Sequence, residues 1–492
     1  MLYYSYPKSE NPHQRGNEMP IIYDEKKRVF KLDTPNTTYA FHVTNSNHLL
    51  HLYYGASIPE TDITHMLRIP NDEPFVPSTH DGMGPHSFDC AAIEFPTSGV
   101  ADFREPCMQL MDKYGMSACE CYYDSCAIYK GKKKLEGLPA TYANTDDEVT
   151  SLEVYCKDPH NGLEITLQYS VFEKLDVITR SVKVKNGGAD PIELRRLLSA
   201  CVELDSKDYD MITLYGTWAR ERHVQRNPLH FGKQLVDSCR GATSHAHNNF
   251  IAIVDHKATE DYGDCYGFAL CYSGSFVAGC EVNQYEKTRV FSGINPYDFS
   301  WHLDLGEEFQ APEVIMVFSA SGIGTMSRTF HDVMRNNLTR GKWKDIRRPI
   351  LINNWEATYF NFDTDKLLDI ARESAKAGIE MLVMDDGWFG HRNDDKSSLG
   401  DWFVNEDKIK GGLKHLVDEV NKLGLKFGIW FEPEMISPDS ELYKAHPDWC
   451  IHIPGRPRTT CRSQLVIDFS RKDVRDYIYG QMYKILSSAN IE

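Results

Sequence analysis

Residues 379–390 read IEMLVMDDGWFG. The first half is a short, almost unbroken apolar run, the pattern of a strand buried on both faces, and it ends abruptly in two aspartates and a glycine. Neighbours in a regular strand point to opposite sides, so Asp385 and Asp386 serve one pocket only if the backbone leaves the strand there. Gly387 makes that turn easy. Two carboxylates about 4 Å apart repel by roughly 4 kcal/mol at a surface-like dielectric, so something must compensate. A polyhydroxylated ligand can do so, because each hydroxyl that donates to a charged acceptor contributes about 1.5–3 kcal/mol. Trp388 and Phe389 are expected to wall such a pocket. A helix cap or a plain surface turn is the alternative reading of the acidic pair.

On either side, short apolar strands alternate with amphipathic helices. ILINNW (350–355) precedes a helical face formed by Leu367, Ile370, Ala371, Ser374 and Ala375 and closed by Gly378. After the acidic strand, Leu413, Leu416, Val417, Val420 and Leu423 recur at helical spacing up to Gly424, and LKFGIWFE (425–432) follows as a third strand. A last helix carries Val474, Tyr477, Ile478, Met482, Ile485 and Leu486. Strands joined by such crossovers pair in parallel. Each ends in a chemically loaded cluster: Asn353-Asn354-Trp355, Asp385-Asp386 and Trp430-Phe431-Glu432. An eight-stranded α/β barrel collects its site from several strand ends in this way, whereas an open sheet concentrates it at one switch point. Residues 346–492 are therefore predicted to form the first part of a (β/α)8 barrel.

Upstream the rhythm changes. From the start to about residue 320 the apolar period is two, as in Leu163–Tyr169 and Ile178–Val184, with turn signals such as Asn186-Gly187-Gly188 between runs. A large antiparallel β domain is predicted over 1–320, with a helical linker over 321–345 built on GIGTMSRTFHDVMRNNLTR (322–340). Two domains suit a chain of 492 residues with 41% hydrophobic residues.

Fifty-four basic residues against 71 acidic ones give a net charge of −17, which argues against nucleic acid or an anionic membrane as partner and favours a neutral ligand. The opening MLYYSYPKSE has no basic segment followed by an apolar core, and no stretch approaches 18 uncharged apolar residues; a cytoplasmic protein is expected. The 13 cysteines are irregularly spaced and read as reduced thiols.

Trp355 and Trp430, at the ends of the first and third strands, flank the acidic strand and could pack on the C–H face of a pyranose; a core role is the alternative. Arg462, in CRSQLVIDFS (461–470), could neutralise the acidic pocket or donate to a ligand hydroxyl, or simply form a surface salt bridge. Metal readings are weaker. His245 and His247 would share one face of a strand without further ligands nearby. Asp386, Glu432 and Glu434 could hold a magnesium ion for enolate chemistry, which leaves the tryptophans unexplained.

With those residues in view, the chain resembles glycoside hydrolase family 36, the α-galactosidases of clan D, along nearly its whole length. The β-domain runs that carry the resemblance are LLHLYYG (49–55), EFPTSGVADFR (94–104), GTWARER (216–222), SCRGATSH (238–245) and FSGINPYDFSWHL (291–303). NNWEATYF (353–360), MDDGWFG (384–390), LGDW (399–402), GIWFEPEM (428–435) and QLVIDFS (464–470) follow in the family's order. The resemblance implies a β-supersandwich ahead of a catalytic barrel, and a retaining α-galactosidase acting on galactosides of the melibiose and raffinose type, without metal or organic cofactor. Family members are often homotetramers. It also implies that Asp385 and Asp386 bind the O6 and O4 side of galactose, with Trp355, Trp430 and Arg462 shaping that subsite. Galactosyl transfer to sucrose, of the raffinose-synthase type, and a non-catalytic galactoside-binding protein remain open.

One departure stands out. The family's nucleophile ends the fourth barrel strand and its acid/base lies later, whereas this chain stops at Ile491-Glu492 as that strand begins. No residue present is therefore assigned a catalytic role. Retaining hydrolysis needs two carboxyl groups roughly 5–5.5 Å apart, so the chain is expected to be an inactive fragment on its own.

Overall fold

The computed structural model describes residues 19–60, 62–67 and 87–492. The opening ten residues, read above for targeting signals, lie outside the described residues. The chain divides into two compact units, Met1–Lys344 and Asp345–Glu492.

The first unit contains a four-stranded, a six-stranded and a ten-stranded sheet. The period-two segments become the antiparallel strands Leu163–Phe172 and Val177–Asn186, paired from Leu163 with Asn186 to Phe172 with Val177. Their alternation buries Leu167 and Val182 in a core that also takes Cys201 and Phe291 from the six-stranded sheet, so two sheets share one apolar layer. Within that core, Glu94 and Arg180 form a fully buried ion pair at 2.9 Å. Tyr39 and Tyr169 each donate to Glu94 at 2.6 Å, and His51 Nδ1 lies 3.0 Å from it. A second buried network joins Asp102 and Glu203 to Arg289, each at 2.7 Å.

The segment expected as a linker forms the helix Gly322–Asn337, which belongs to the first unit. It buries Met326, Phe330 and Val333 against Ala252, Ile315 and Val317 on the second face of the ten-stranded sheet. Gly267 makes this close approach possible: a Cβ there would stand 2.5 Å from the Phe330 ring. The amphipathic stripe was legible, but the sheet face that covers it is assembled from strands far apart in sequence.

In the second unit, Leu351–Asn353, Met381–Met384 and Lys426–Ile429 pair in parallel, in that order. The helices Thr364–Lys376 and Gly412–Lys422 are the crossovers, each followed by a left-handed glycine, Gly378 and Gly424. Asp363 caps the first by accepting from Lys366 N. After the helix Lys472–Leu486, Glu492 N donates to Phe427 O, so the last residue lies beside the third strand. A two-stranded antiparallel ribbon, Met435–Ile436 with Leu465–Val466, is inserted after the third strand. It brings the distant QLVIDFS segment next to GIWFEPEM.

Candidate active site

Three parallel strands bring the ends of NNW, MDD and IWFE to one edge of the second unit. The backbone leaves its strand after Met384, and Gly387 adopts φ +105°, a conformation that strains any residue with a side chain. Lys408 fixes the turn by donating to the carbonyls of Phe360, Gly387 and Arg392 at 2.9–3.1 Å. Burial pushes the Lys408 ammonium below its usual range, and the Asp386 carboxylate opposes that shift.

The two aspartates occupy different environments. Asp386 is 3% exposed and takes two parallel hydrogen bonds, both 2.9 Å, from Nε and Nη2 of the fully buried Arg392. Arg392 also donates to Ser397 O. Asp385 is half-buried and accepts from its own neighbour, Asp386 N, at 2.7 Å and from Asn353 Nδ2. The adjacent Asn354, fully buried, accepts from Asp385 N at 2.8 Å. Asn353 in turn accepts from Trp355 N, so one asparagine ties the end of the first strand to the acidic end of the second.

The charge compensation therefore comes from the protein, through Arg392, and not solely from a ligand or from Arg462. Arg462 is half-exposed and pairs with Asp395, and its charge is favoured first by Asp395 and at longer range by Glu432 and Asp386. The direct partner of Arg462 is thus Asp395, the surface salt bridge given above as the alternative. Arg392 follows the pair by six residues in sequence, and nothing in its spacing distinguishes it from a surface arginine.

Trp388 and Phe389 do not wall a pocket. Both are fully buried among Leu399, Trp402 and Phe427, because the turn at Gly387 sends them back under the sheet. The Trp388 indole donates to Trp430 O at 2.9 Å and so supports the third strand's end from below. Trp430 is half-buried, its ring 6.4 Å from that of Phe389. Trp355 opens the short helix Trp355–Thr358, half-buried, with its ring edge-to-face on Tyr359 and Phe360 at 5.2 and 5.0 Å.

Glu432 is half-buried, and its Oε2 accepts no hydrogen bond among the described residues. Burial pushes this carboxyl above its usual value; Arg462 opposes the shift while Glu434 and Asp386 add to it. The magnesium triad does not assemble: Glu434 is exposed, and no cluster of three metal-ligating side chains forms among the described residues. The imidazole pair fails as well, because the strand begins at His247 and His245 lies in the bend before it.

Residues 47–304 match the glycosyl hydrolase family 36 N-terminal domain, and residues 308–492 match the melibiase family. The chain belongs to glycoside hydrolase family 36. Among family 36 relatives, the α-galactosidase AgaA of Geobacillus stearothermophilus is 47% identical over 96% of this chain and 65% of its own length. The bifunctional α-galactosidase/sucrose kinase AgaSK of Mediterraneibacter gnavus is 41% identical over 96% of this chain and 51% of its own. The crystal structure of the family 36 α-galactosidase AgaB from Geobacillus stearothermophilus superposes with a TM-score of 0.93 at 46% identity, covering 96% of this chain and 65% of that one. Structures of AgaA variants have been solved with raffinose and with stachyose. The chain thus spans between half and two thirds of the length of these relatives, and the β domain followed by an α/β unit is the family 36 arrangement.

Proposed function

We propose that the whole protein is an α-galactosidase that removes terminal galactose from neutral α-galactosides of the melibiose and raffinose type. The observation that carries this reading is the Asp385–Asp386 pair at the end of the second parallel strand of a family 36 chain, with Asp386 locked by Arg392. In this reading the carboxylates accept hydrogen bonds from O4 and O6 of the galactosyl unit. A site built around a given hydroxyl discriminates strongly against an analogue that places it elsewhere. Trp355 and Trp430 offer apolar faces for the ring's C–H groups, and Arg462 donates at the rim.

The complexes of the AgaA variants with raffinose and stachyose support the substrate class. A homotetramer is part of the same reading and rests on the family resemblance. A cytoplasmic location rests on 13 cysteines, all with free thiols, which suit a reducing compartment. No helix among the described residues is long and apolar enough to cross a membrane.

The test is release of galactose from raffinose by the whole protein, compared with its Asp386→Asn variant. Hydrolysis that falls at least tenfold in the variant supports the reading. Galactosyl transfer to sucrose without net hydrolysis would favour a transferase, and binding without turnover would make the protein a galactoside receptor.

A further inference from the structure

Far in sequence from the acidic strand, the first unit carries a cavity of about 850 Å³. Its floor is set by strand register. Glu153 sits opposite Gln168, Tyr155 opposite Thr166, Thr166 opposite Lys183, and Lys183 opposite Gln310. The intervening residues Leu152, Val154, Leu167 and Val182 point the other way, into the core, so the floor is the outward polar face of one sheet.

One wall is aromatic. Trp301 is 49% exposed and tilts against Phe309 at 5.0 Å, and Phe299 meets the same ring edge-on at 5.8 Å. The floor is polar but pre-bonded: Gln310 donates to Gln168 at 3.0 Å, and Tyr155 and Lys133 both donate to Glu153 at 2.7 Å. The charged lining balances, with Lys133, Lys134 and Lys183 against Glu136, Glu153 and Glu308.

We infer that this cleft is a second saccharide-binding site, distinct from the acidic strand ends, that takes a neutral oligosaccharide. An exposed indole facing a floor of amides and paired charges matches the two sides of a pyranose, one apolar and one covered in hydroxyls. The size lies in the range of small-molecule sites, roughly 300–1,000 Å³. Balanced charge disfavours a polyanion or a strongly charged peptide, whose approach would need a field of one sign. Pre-bonded polar groups hold their orientation before the ligand arrives, which lowers the ordering cost of binding.

The experiment is equilibrium dialysis of the full chain with labelled raffinose and stachyose, in an Asp386→Asn background that weakens the site at the acidic strand end. That background is expected to retain one saccharide site, and adding Trp301→Ala is expected to lower its affinity at least tenfold while Trp301→Tyr restores most of it. Circular dichroism and the thermal midpoint verify that each variant is folded. Loss of all binding in the Asp386→Asn protein, or affinity unchanged by Trp301→Ala, overturns the inference. So does a Trp301-dependent change of oligomeric state without saccharide binding, which would assign the face to a second copy of the chain. A Trp301-dependent site that persists when Asp386→Asn has no effect of its own would keep this inference and remove the α-galactosidase reading.

Discussion

Arg392 holds Asp386 through two parallel hydrogen bonds of 2.9 Å, with both side chains almost wholly withdrawn from water. A pair so placed stabilises little as a pair, because desolvation offsets most of its attraction, yet removing one partner leaves a buried charge unmatched. Arg392→Met is therefore expected to cost about 3–5 kcal/mol in chemical denaturation. Arg392→Lys keeps the charge but cannot form the two-pronged contact, so it should recover part of the stability and little of the ligand affinity. Equal behaviour of the lysine and arginine proteins in both assays would contradict the positioning role.

Gly387 turns the acidic strand end at φ +105°, and a Cβ there would stand 3.0 Å from the Phe360 ring. Gly387→Ala should destabilise the second unit by about 1–3 kcal/mol, read as a lower denaturation midpoint with unchanged slope. An alanine protein as stable as the parent would mean that the turn has another conformation.

Removing the charge of Glu432 should stabilise the fold at neutral pH. A carboxyl whose folded pKa lies above its unfolded value destabilises the fold once pH exceeds the unfolded value, 4.5 for glutamate. Glu432→Gln should therefore raise the thermal midpoint at pH 7 and leave it nearly unchanged below pH 4. A lowered midpoint at pH 7 would show that the carboxylate is a structural group.

The β domain should be acid-labile. Burial alone would raise Glu94 and Asp102, but Arg180 acting on Glu94, and Arg289 and Arg104 acting on Asp102, outweigh it and hold both below their ordinary values. Their contribution to stability is complete above the unfolded values, 4.5 and 3.8, and is lost as pH falls through the lower folded ones. Glu94→Gln should cost about 3–5 kcal/mol at pH 7 and flatten the acid limb of the stability curve. An acid limb identical to the parent's would assign the transition to other groups.

The parts of this fold that show in the sequence are those fixed by local periodicity. Alternation in Leu163–Tyr169 gives a strand with one buried face, and Leu413, Leu416, Val417 and Val420 give the buried stripe of a crossover helix. Contacts that close over long separations do not show. The covering of Phe330 by Gly267, the ribbon between Met435–Ile436 and Leu465–Val466, and the pairing of Asp386 with Arg392 each depend on where the chain returns. Trp388 and Phe389 illustrate the limit: their types suit a ligand wall and a core equally, and only the direction of the Gly387 turn places them inside.

The most direct test of the acidic pair is the affinity of the chain for galactose against glucose, which differ only in the orientation of O4, measured by titration calorimetry for the parent, Asp385→Asn and Asp386→Asn. The parent should prefer galactose, and each amide should lose about 1.5–3 kcal/mol of galactose binding and most of the preference. Galactose affinity and preference unchanged in both variants would contradict the claim that these carboxylates grip the sugar.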